Sequence, residues 1–247
     1  MPLRDVLALD GPSGTGKSTV ARAVAARLGL RYLDTGAMYR GVTLAVLDAG
    51  VEPTNIDGVI KVAQSTELEI STDPDDAWVT VDGRRVDTEI RAAQVTSAVS
   101  AVSAVPEVRA RLVAAQRRLI GAGGIVVEGR DIGTVVAPEA QLKVFLTAAE
   151  QVRAQRRAEQ VGQAGAAGLA ATAADLQRRD SYDSSRPLSP LRAAADAVEV
   201  DTSHLLLDEV IDKLVDMALS RRIAAPSLSV KEGALAGPVV PPPRTRG

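Results

Sequence analysis

The chain of 247 residues contains no cysteine and a single histidine, His204. Disulfides, thiol chemistry and Cys/His zinc sites are therefore excluded, and any nucleophile–histidine pair would have to use that one imidazole. Aromatic side chains are nearly as scarce: Tyr32, Tyr39, Trp78, Phe145 and Tyr182 are the whole set, too few for a platform that stacks the bases of a single strand. A net charge of −2 provides no global basic field of the kind that marks a nucleic-acid binder. No apolar run approaches the roughly 20 residues that cross a bilayer. The N-terminus lacks the basic and long apolar regions of a signal peptide, and the missing cysteines suit a reducing compartment. The expectation is a soluble, cytoplasmic protein with no membrane or nucleic-acid partner.

What is present is arginine. Of the 29 basic residues, five are lysines (17, 61, 143, 213 and 231) and 24 are arginines. In a nearly neutral chain this suggests local pairing of guanidinium with carboxylate or phosphate, although a high-GC coding sequence gives the same bias. The length suits one or two domains and a core that needs no covalent staple.

Five short apolar runs read as strands: Val6–Leu9, Arg31–Leu33, Ile125–Val127, Leu142–Leu146 and Ala197–Val200. Most are continuously apolar, as in parallel strands covered on both faces. Helical patterns lie between them at Ser18–Leu28, Met38–Leu47, Glu107–Ile120, Glu150–Gln160, Ala173–Arg179 and Leu205–Leu219. The alternation predicts an α/β fold, an open parallel sheet with helices on both faces. Residues 66–91 read as a small antiparallel insert, with Trp78–Val81, an Asp82-Gly83 turn and Arg84–Val86, and Glu67–Ile70 as a third strand. Residues 161–174, rich in Ala and Gly, read as a mobile segment or surface loop. Five of the 13 prolines fall after residue 225, so 224–247 reads as a disordered tail.

The strongest signal is Gly11-Pro12-Ser13-Gly14-Thr15-Gly16-Lys17-Ser18, a match to G-x-x-x-x-G-K-[ST] placed after a strand and before a helix. Its glycines let the backbone wrap a phosphate with N–H groups pointing inward, and the helix N-terminus adds partial positive charge. Lys17 is suited to the β- and γ-phosphates and the Ser18 hydroxyl to Mg²⁺. No [NT]-K-x-D follows anywhere, which counts against a guanine-specific GTPase, and there is no bulky second domain for a motor. A small kinase is left.

Such an enzyme must hold a second anion. Three polar clusters stand beside turn signals: Asp34–Arg40, Glu128–Thr134 and Arg179–Arg186. Each contains arginine, whose fixed charge and fork geometry suit phosphate, and strand ends of this kind converge on the crevice of an open sheet. From the residues alone the acceptor stays open among CMP, UMP, AMP and a small acid such as shikimate. A non-catalytic nucleotide-binding regulator is a further alternative.

The segments LDGPSGTGKST (9–19), LDTGAMYR (33–40), EIRAAQVTSAVSAVSAVPEVR (89–109), EGRDIGTVV (128–136), FLTA (145–148) and QRRDSYDSSRPLSPL (177–191) resemble the bacterial-type cytidylate (CMP) kinases among the P-loop nucleoside monophosphate kinases. The resemblance covers about residues 4–220. It implies a P-loop NTPase-type five-stranded parallel sheet. One unit over 1–223 would hold a core, a nucleotide-monophosphate insert at about 35–110 and a lid at about 150–190. It implies transfer of the ATP γ-phosphate to CMP or dCMP with Mg²⁺, by a monomer. Carried over by position, Gly11–Thr19, with Thr19 closing the motif, would hold ATP, and Ser18 the metal. Arg40 and Arg130 would hold the CMP phosphate. Ser100, Arg109, Asp131 and Arg186 would read the base, and Arg179 and Asp183 the ribose. Thr35 and Tyr39 would lie on the acceptor side. Arg153, Arg156 and Arg157 resemble lid arginines that close on the ATP phosphates. Lys17, Arg130, Arg156 and Arg157 would be the catalytic set. Thr35 stands where many members carry serine.

Overall fold

The structure, a computed structural model, describes residues 3–160, 162, 165–223 and 237–239. In chain order the elements are β1 (Leu3–Asp10), α1 (Lys17–Leu28), β2 (Arg31–Asp34), α2 (Thr35–Asp48), α3 (Ile56–Ser65), β3 (Leu68–Ile70), β4 (Val79–Val81) and β5 (Arg84–Arg85). There follow α4 (Ala93–Ala104), α5 (Pro106–Ile120), β6 (Gly123–Gly129), β7 (Ala140–Thr147), α6 (Glu150–Gln160), α7 (Ala166–Ser185), β8 (Val198–Asp201), α8 (Leu207–Ser220) and β9 (Gly237–Val239). Chain contacts divide the molecule into two compact units, Met1–Tyr32 with Ala122–Ser229, and Leu33–Gly121 with Val230–Gly247.

The first unit is built on a five-stranded sheet in the order β2-β6-β1-β7-β8. β1 runs parallel to both β6 and β7, and β7 parallel to β8. Because β1 has its partners on either side, the chain reverses its direction of strand addition there, and the crevice beyond its carboxyl end is where open α/β sheets bind ligands. Val6 to Leu9 are wholly buried, as continuous apolar strands predict. α1 turns Val20, Ala21, Val24, Ala25 and Leu28 inward. It stops at Gly29 in the left-handed conformation, whose N–H returns to the carbonyl of Ala25. That face joins Leu7, Leu9, Val126, Leu142, Leu146 and the buried side of α8 (Val210, Ile211, Leu214, Ala218) in one core.

The second unit carries a small antiparallel sheet, β5-β4-β3-β9. β3 and β4 pair from Leu68 with Val81 to Ile70 with Val79. The link between β4 and β5 is the Asp82-Gly83 turn, with both residues at positive φ, which matches a two-residue hairpin of the primed type. α2 is capped by Asp34, whose side chain accepts from the Ala37 N–H at 2.9 Å.

The periodicity reading differs from the structure in three places. α3 and α4 were not among its helices; α4 buries Val95, Val99 and Val102, a spacing hidden in a run of small residues. The loop expected over 161–174 is helical from Ala166, and α7 extends to Ser185. Alanine is the best helix former, and that outweighs the lack of large anchoring side chains; residues 161, 163 and 164 lie outside the described residues. The tail expected over 224–247 also lies outside them, except that the backbone of Gly237–Val239 pairs antiparallel with β3. No helix among the described residues is long and apolar enough to cross a membrane.

Candidate active site

Gly11 to Gly16 link the end of β1 to α1. Gly11 has φ +148, and a Cβ there would lie 2.2 Å from the carbonyl oxygen of Leu146 on β7, so only glycine fits. Gly14 faces the first turn of α6: its added Cβ would meet Cβ and the carbonyl of Arg153 at 3.0 Å. α1 opens at Gly16 with no side-chain cap and no acid in its first turn. Its leading N–H groups thus have no competing anion from the helix itself.

Lys17 is buried and bends back on this loop, donating from Nζ to the Pro12 carbonyl at 2.6 Å and to Thr15 Oγ1 at 3.4 Å. Burial, and then the nearby Arg130, push its pKa down to about 7, against the opposing pull of Glu128, Asp10 and Asp180. A lysine in this state gains from an incoming anion, which would restore the charged form. Ser18 Oγ donates to Glu128 Oε2 at 2.9 Å, and the buried Tyr32 hydroxyl donates to the other oxygen of Glu128. Asp10, at the end of β1, accepts from the N–H groups of Ile132 and Gly133, both at 2.8 Å. Its pKa is raised to about 6, chiefly by burial.

Arg130 bridges two parts of the site. Its Nη2 donates to Ser13 Oγ at 2.6 Å and its Nε to Asp183 Oδ2 at 3.1 Å. Arg186 lies 3.8 Å from the same aspartate, and Asp131, next along from Arg130, is buried. The Arg179 guanidinium is held below its ordinary pKa first by burial and then by Arg130, and its Nε is buried without a hydrogen-bond partner among the described residues. Arg130, Asp183, Arg186 and Arg179 therefore form one cluster with the phosphate loop.

The arginines of α6 separate. Arg153 is buried, donates from Nη1 to the Ser13 carbonyl at 3.1 Å and pairs with Asp180. Arg156 donates to the hydroxyl and carbonyl of Thr202 at 3.0 and 2.7 Å, and Thr202 Oγ1 is 3.4 Å from the Thr15 carbonyl. Arg157 bonds Gln160 Oε1 on its own helix at 2.7 Å. Thr19 is exposed in the first turn of α1.

The second unit holds the remaining residues. Arg109 is buried and stacks over the Tyr39 ring at 5.3 Å from the centroid, with Nη1 on the Ser103 carbonyl at 3.3 Å. The Ser100 carbonyl accepts from Ser103 Oγ at 3.1 Å, on the same turn of α4. Arg40 is held by the Ile90 carbonyl and Thr96 Oγ1 at 3.1 and 2.9 Å. Thr35 is buried at the start of α2.

Asp10, Tyr32 and Thr202 are not among the sequence-predicted site residues, and Glu128 and Asp180 enter there only as members of the polar clusters 128–134 and 179–186. Asp10 and Glu128 carried a usable signal, since each is a lone carboxylate ending or nearly ending an apolar strand. Asp180 and Thr202 reach the loop only through the folded chain.

A phosphate loop at the switch point of a parallel sheet, with a buried lysine and convergent guanidinium groups, defines a nucleotide-binding protein of the phosphate-loop class. The chain belongs to the cytidylate kinase family: that family's model matches residues 7–220. A cytidylate kinase of Nocardia farcinica (strain IFM 10152) is 58% identical over 211 residues, covering 85% of this chain and 91% of its own length. One from Rhodococcus opacus (strain B4) is 56% identical over 212 residues, 85% and 93% of the two chains. Among solved structures, a gluconokinase from Sinorhizobium meliloti 1021 is similar with a TM-score of 0.49 at 18% identity, over 90% of this chain and 95% of that one.

Proposed function

We propose that this chain transfers the γ-phosphoryl group of ATP to the phosphate of CMP or dCMP, as a monomer in the cytoplasm. The bond formed joins a CMP phosphate oxygen to Pγ. The bond broken joins Pγ to its bridging oxygen, and the products are CDP or dCDP and ADP. Both substrates are anions, so the problem is one of charge and position more than of covalent catalysis. The observation that carries the reading is Arg130, with one guanidinium nitrogen on Ser13 of the phosphate loop and another on Asp183.

In this reading Gly11 to Thr19 cradle the ATP phosphates, with Lys17 regaining its proton as they arrive. Arg153 and Arg156 steady the ATP side. Arg130 and Arg40 hold the CMP phosphate, and the Arg179–Asp183 pair the ribose hydroxyls. Arg157 turns inward from Gln160 when the lid over 150–190 closes and excludes water. Cytosine presents an exocyclic amine beside two acceptors. A carboxylate suits the amine and guanidinium groups suit the acceptors, which assigns the base to Asp131, Arg109 and Arg186, with Ser100 and Tyr39 beside Arg109 and Thr35 on the acceptor side.

The donor set also fits Mg²⁺. Ser18 Oγ and Glu128 Oε2, 2.9 Å apart, are hard oxygen ligands. Among the described residues no cluster of three or more acidic, histidine or cysteine side chains could cage a metal. Mg²⁺ in kinases is held by one or two protein groups together with substrate phosphates and water. When bound it would neutralise charge on the phosphates. The test of the whole reading is to incubate the protein with ATP, Mg²⁺ and CMP. CDP and ADP forming in equal amounts supports it, and ADP without CDP contradicts it.

A further inference from the structure

The groups that would receive a nucleotide phosphate are already engaged by an acid of this chain. Asp180, on α7, accepts through Oδ1 from the backbone N–H of Ser13 at 3.2 Å. Its Oδ2 pairs with Nη1 of Arg153, and that same nitrogen donates to the Ser13 carbonyl. Asp180 is also among the carboxylates whose charge acts on Lys17. A phosphate-loop N–H, a buried guanidinium and the loop lysine are the donors an anionic phosphate uses.

The contact is not that of an ordinary surface acid. Asp175, one turn earlier on α7, pairs with Arg178 three residues along the same helix, with the two side chains 35% and 74% exposed. Asp180 is 17% exposed and its partner Arg153 8%, and it reaches 167 residues back along the chain to the loop. There is a physical reason for a resident anion. Arg153 is a buried cation, and a buried charge without a partner is costly. Before nucleotide arrives, Asp180 supplies the negative charge.

We propose that Asp180 is a stand-in for phosphate in the nucleotide site, competing with the incoming ATP phosphates for the Ser13 N–H and Arg153 and displaced when ATP binds. The inference rests on the ATP-binding reading above. It has an unusual consequence, because the two states of the protein respond in opposite directions. Removing the carboxylate leaves Arg153 unpaired and lowers the stability of the free protein. The same change removes a competitor and tightens ATP binding, since a ligand gains whatever the displaced contact no longer holds back. A merely structural acid would lower both.

The experiment measures ATP binding to the full chain by titration calorimetry without CMP, and thermal unfolding without nucleotide, for the wild type, Asp180→Asn and Asp180→Ala. Asp175→Asn serves as a control for charge on the same helix. The expected result is ATP binding tighter by about fivefold or more in both Asp180 variants, the low end of ordinary coupling between two ligands. The unfolding midpoint of both is lower, and the control's ATP affinity is unchanged. Should one variant fail to fold, the other decides. A folded Asp180 variant that binds ATP with unchanged or weaker affinity overturns the inference while leaving the ATP site intact. A wild-type chain that binds no ATP overturns both readings.

Discussion

The Tyr32 hydroxyl donates to Oε1 of Glu128, while Oε2 of the same carboxylate accepts from Ser18. Tyr32 and Glu128 are both buried, so the carboxylate has its orientation set on one side and presents its other oxygen to the hydroxyl proposed for Mg²⁺. Tyr32→Phe keeps the ring and removes the donor, leaving a buried acceptor short of a partner at a cost of about 1–3 kcal/mol. We expect a lower unfolding midpoint and a higher Mg²⁺ concentration for half-maximal rate. Glu128→Gln should shift that concentration further. An unchanged Mg²⁺ requirement in both variants would contradict the assignment.

Gly11 tests the loop geometry independently of any side chain. A methyl group there would lie 2.2 Å from the backbone carbonyl oxygen of Leu146, with no rotamer to relieve it. Gly11→Ala should lose at least about 2 kcal/mol of stability and most of its ATP affinity, read by denaturant unfolding and calorimetry. Wild-type ATP binding in a folded Gly11→Ala protein would show that β1 and β7 are not held as closely as described.

Asp10 makes a pH prediction. Its folded pKa of about 6 lies above the ordinary carboxyl value of 3.8, so between those values the folded state binds more protons than the unfolded state. Its contribution to stability is therefore fully present below about pH 4 and is lost as pH rises through 6. The loss is on the order of 3 kcal/mol from the size of the shift. Other carboxylates titrate too, so the quantity to follow is the unfolding free energy of the wild type minus that of Asp10→Asn. It should decline from pH 4 to pH 7. A flat difference would mean that Asp10 ionises normally.

Arg109 and Arg130 should differ as variants. Arg109 stacks on Tyr39 and donates to the Ser103 carbonyl, both within its own unit. Arg109→Ala should raise the KM for CMP by about tenfold or more, the usual cost of a hydrogen bond to a charged group, with the KM for ATP unchanged. Arg130 touches Ser13, so Arg130→Ala should disturb both KM values and lower kcat. Equal effects of Arg109→Ala on both substrates would remove it from the acceptor site.

The parallel strands, α1 and the hairpin at Asp82-Gly83 were legible because local pattern determines them: unbroken apolar runs, apolar residues at i, i+4 and i+8, and a positive-φ turn pair. The phosphate loop was legible for the same reason, its residue types being required by backbone geometry. α4 and the first half of α7 were not, because small residues carry weak periodicity and their helicity depends on propensity and packing. In the site, arginines were recognisable as candidates, but their partners were not. Nothing local distinguishes Arg153, buried against Ser13 and Asp180, from Arg157, four residues further along the same helix and bonded to Gln160. Nor does sequence reveal that Tyr32 and Glu128, 96 positions apart, share a proton donor and acceptor.

The most direct test of the central claim is the ratio of kcat/KM for CMP to that for UMP, measured with ATP and Mg²⁺ under one set of conditions. The two acceptors differ at the base edge, an amine in cytosine against a carbonyl in uracil. A site that pairs a buried carboxylate with the amine rejects the carbonyl by leaving that carboxylate unsatisfied. We predict a preference for CMP of at least about a hundredfold, falling sharply in Asp131→Asn. Equal use of UMP, or no phosphoryl transfer to CMP at all, would contradict it.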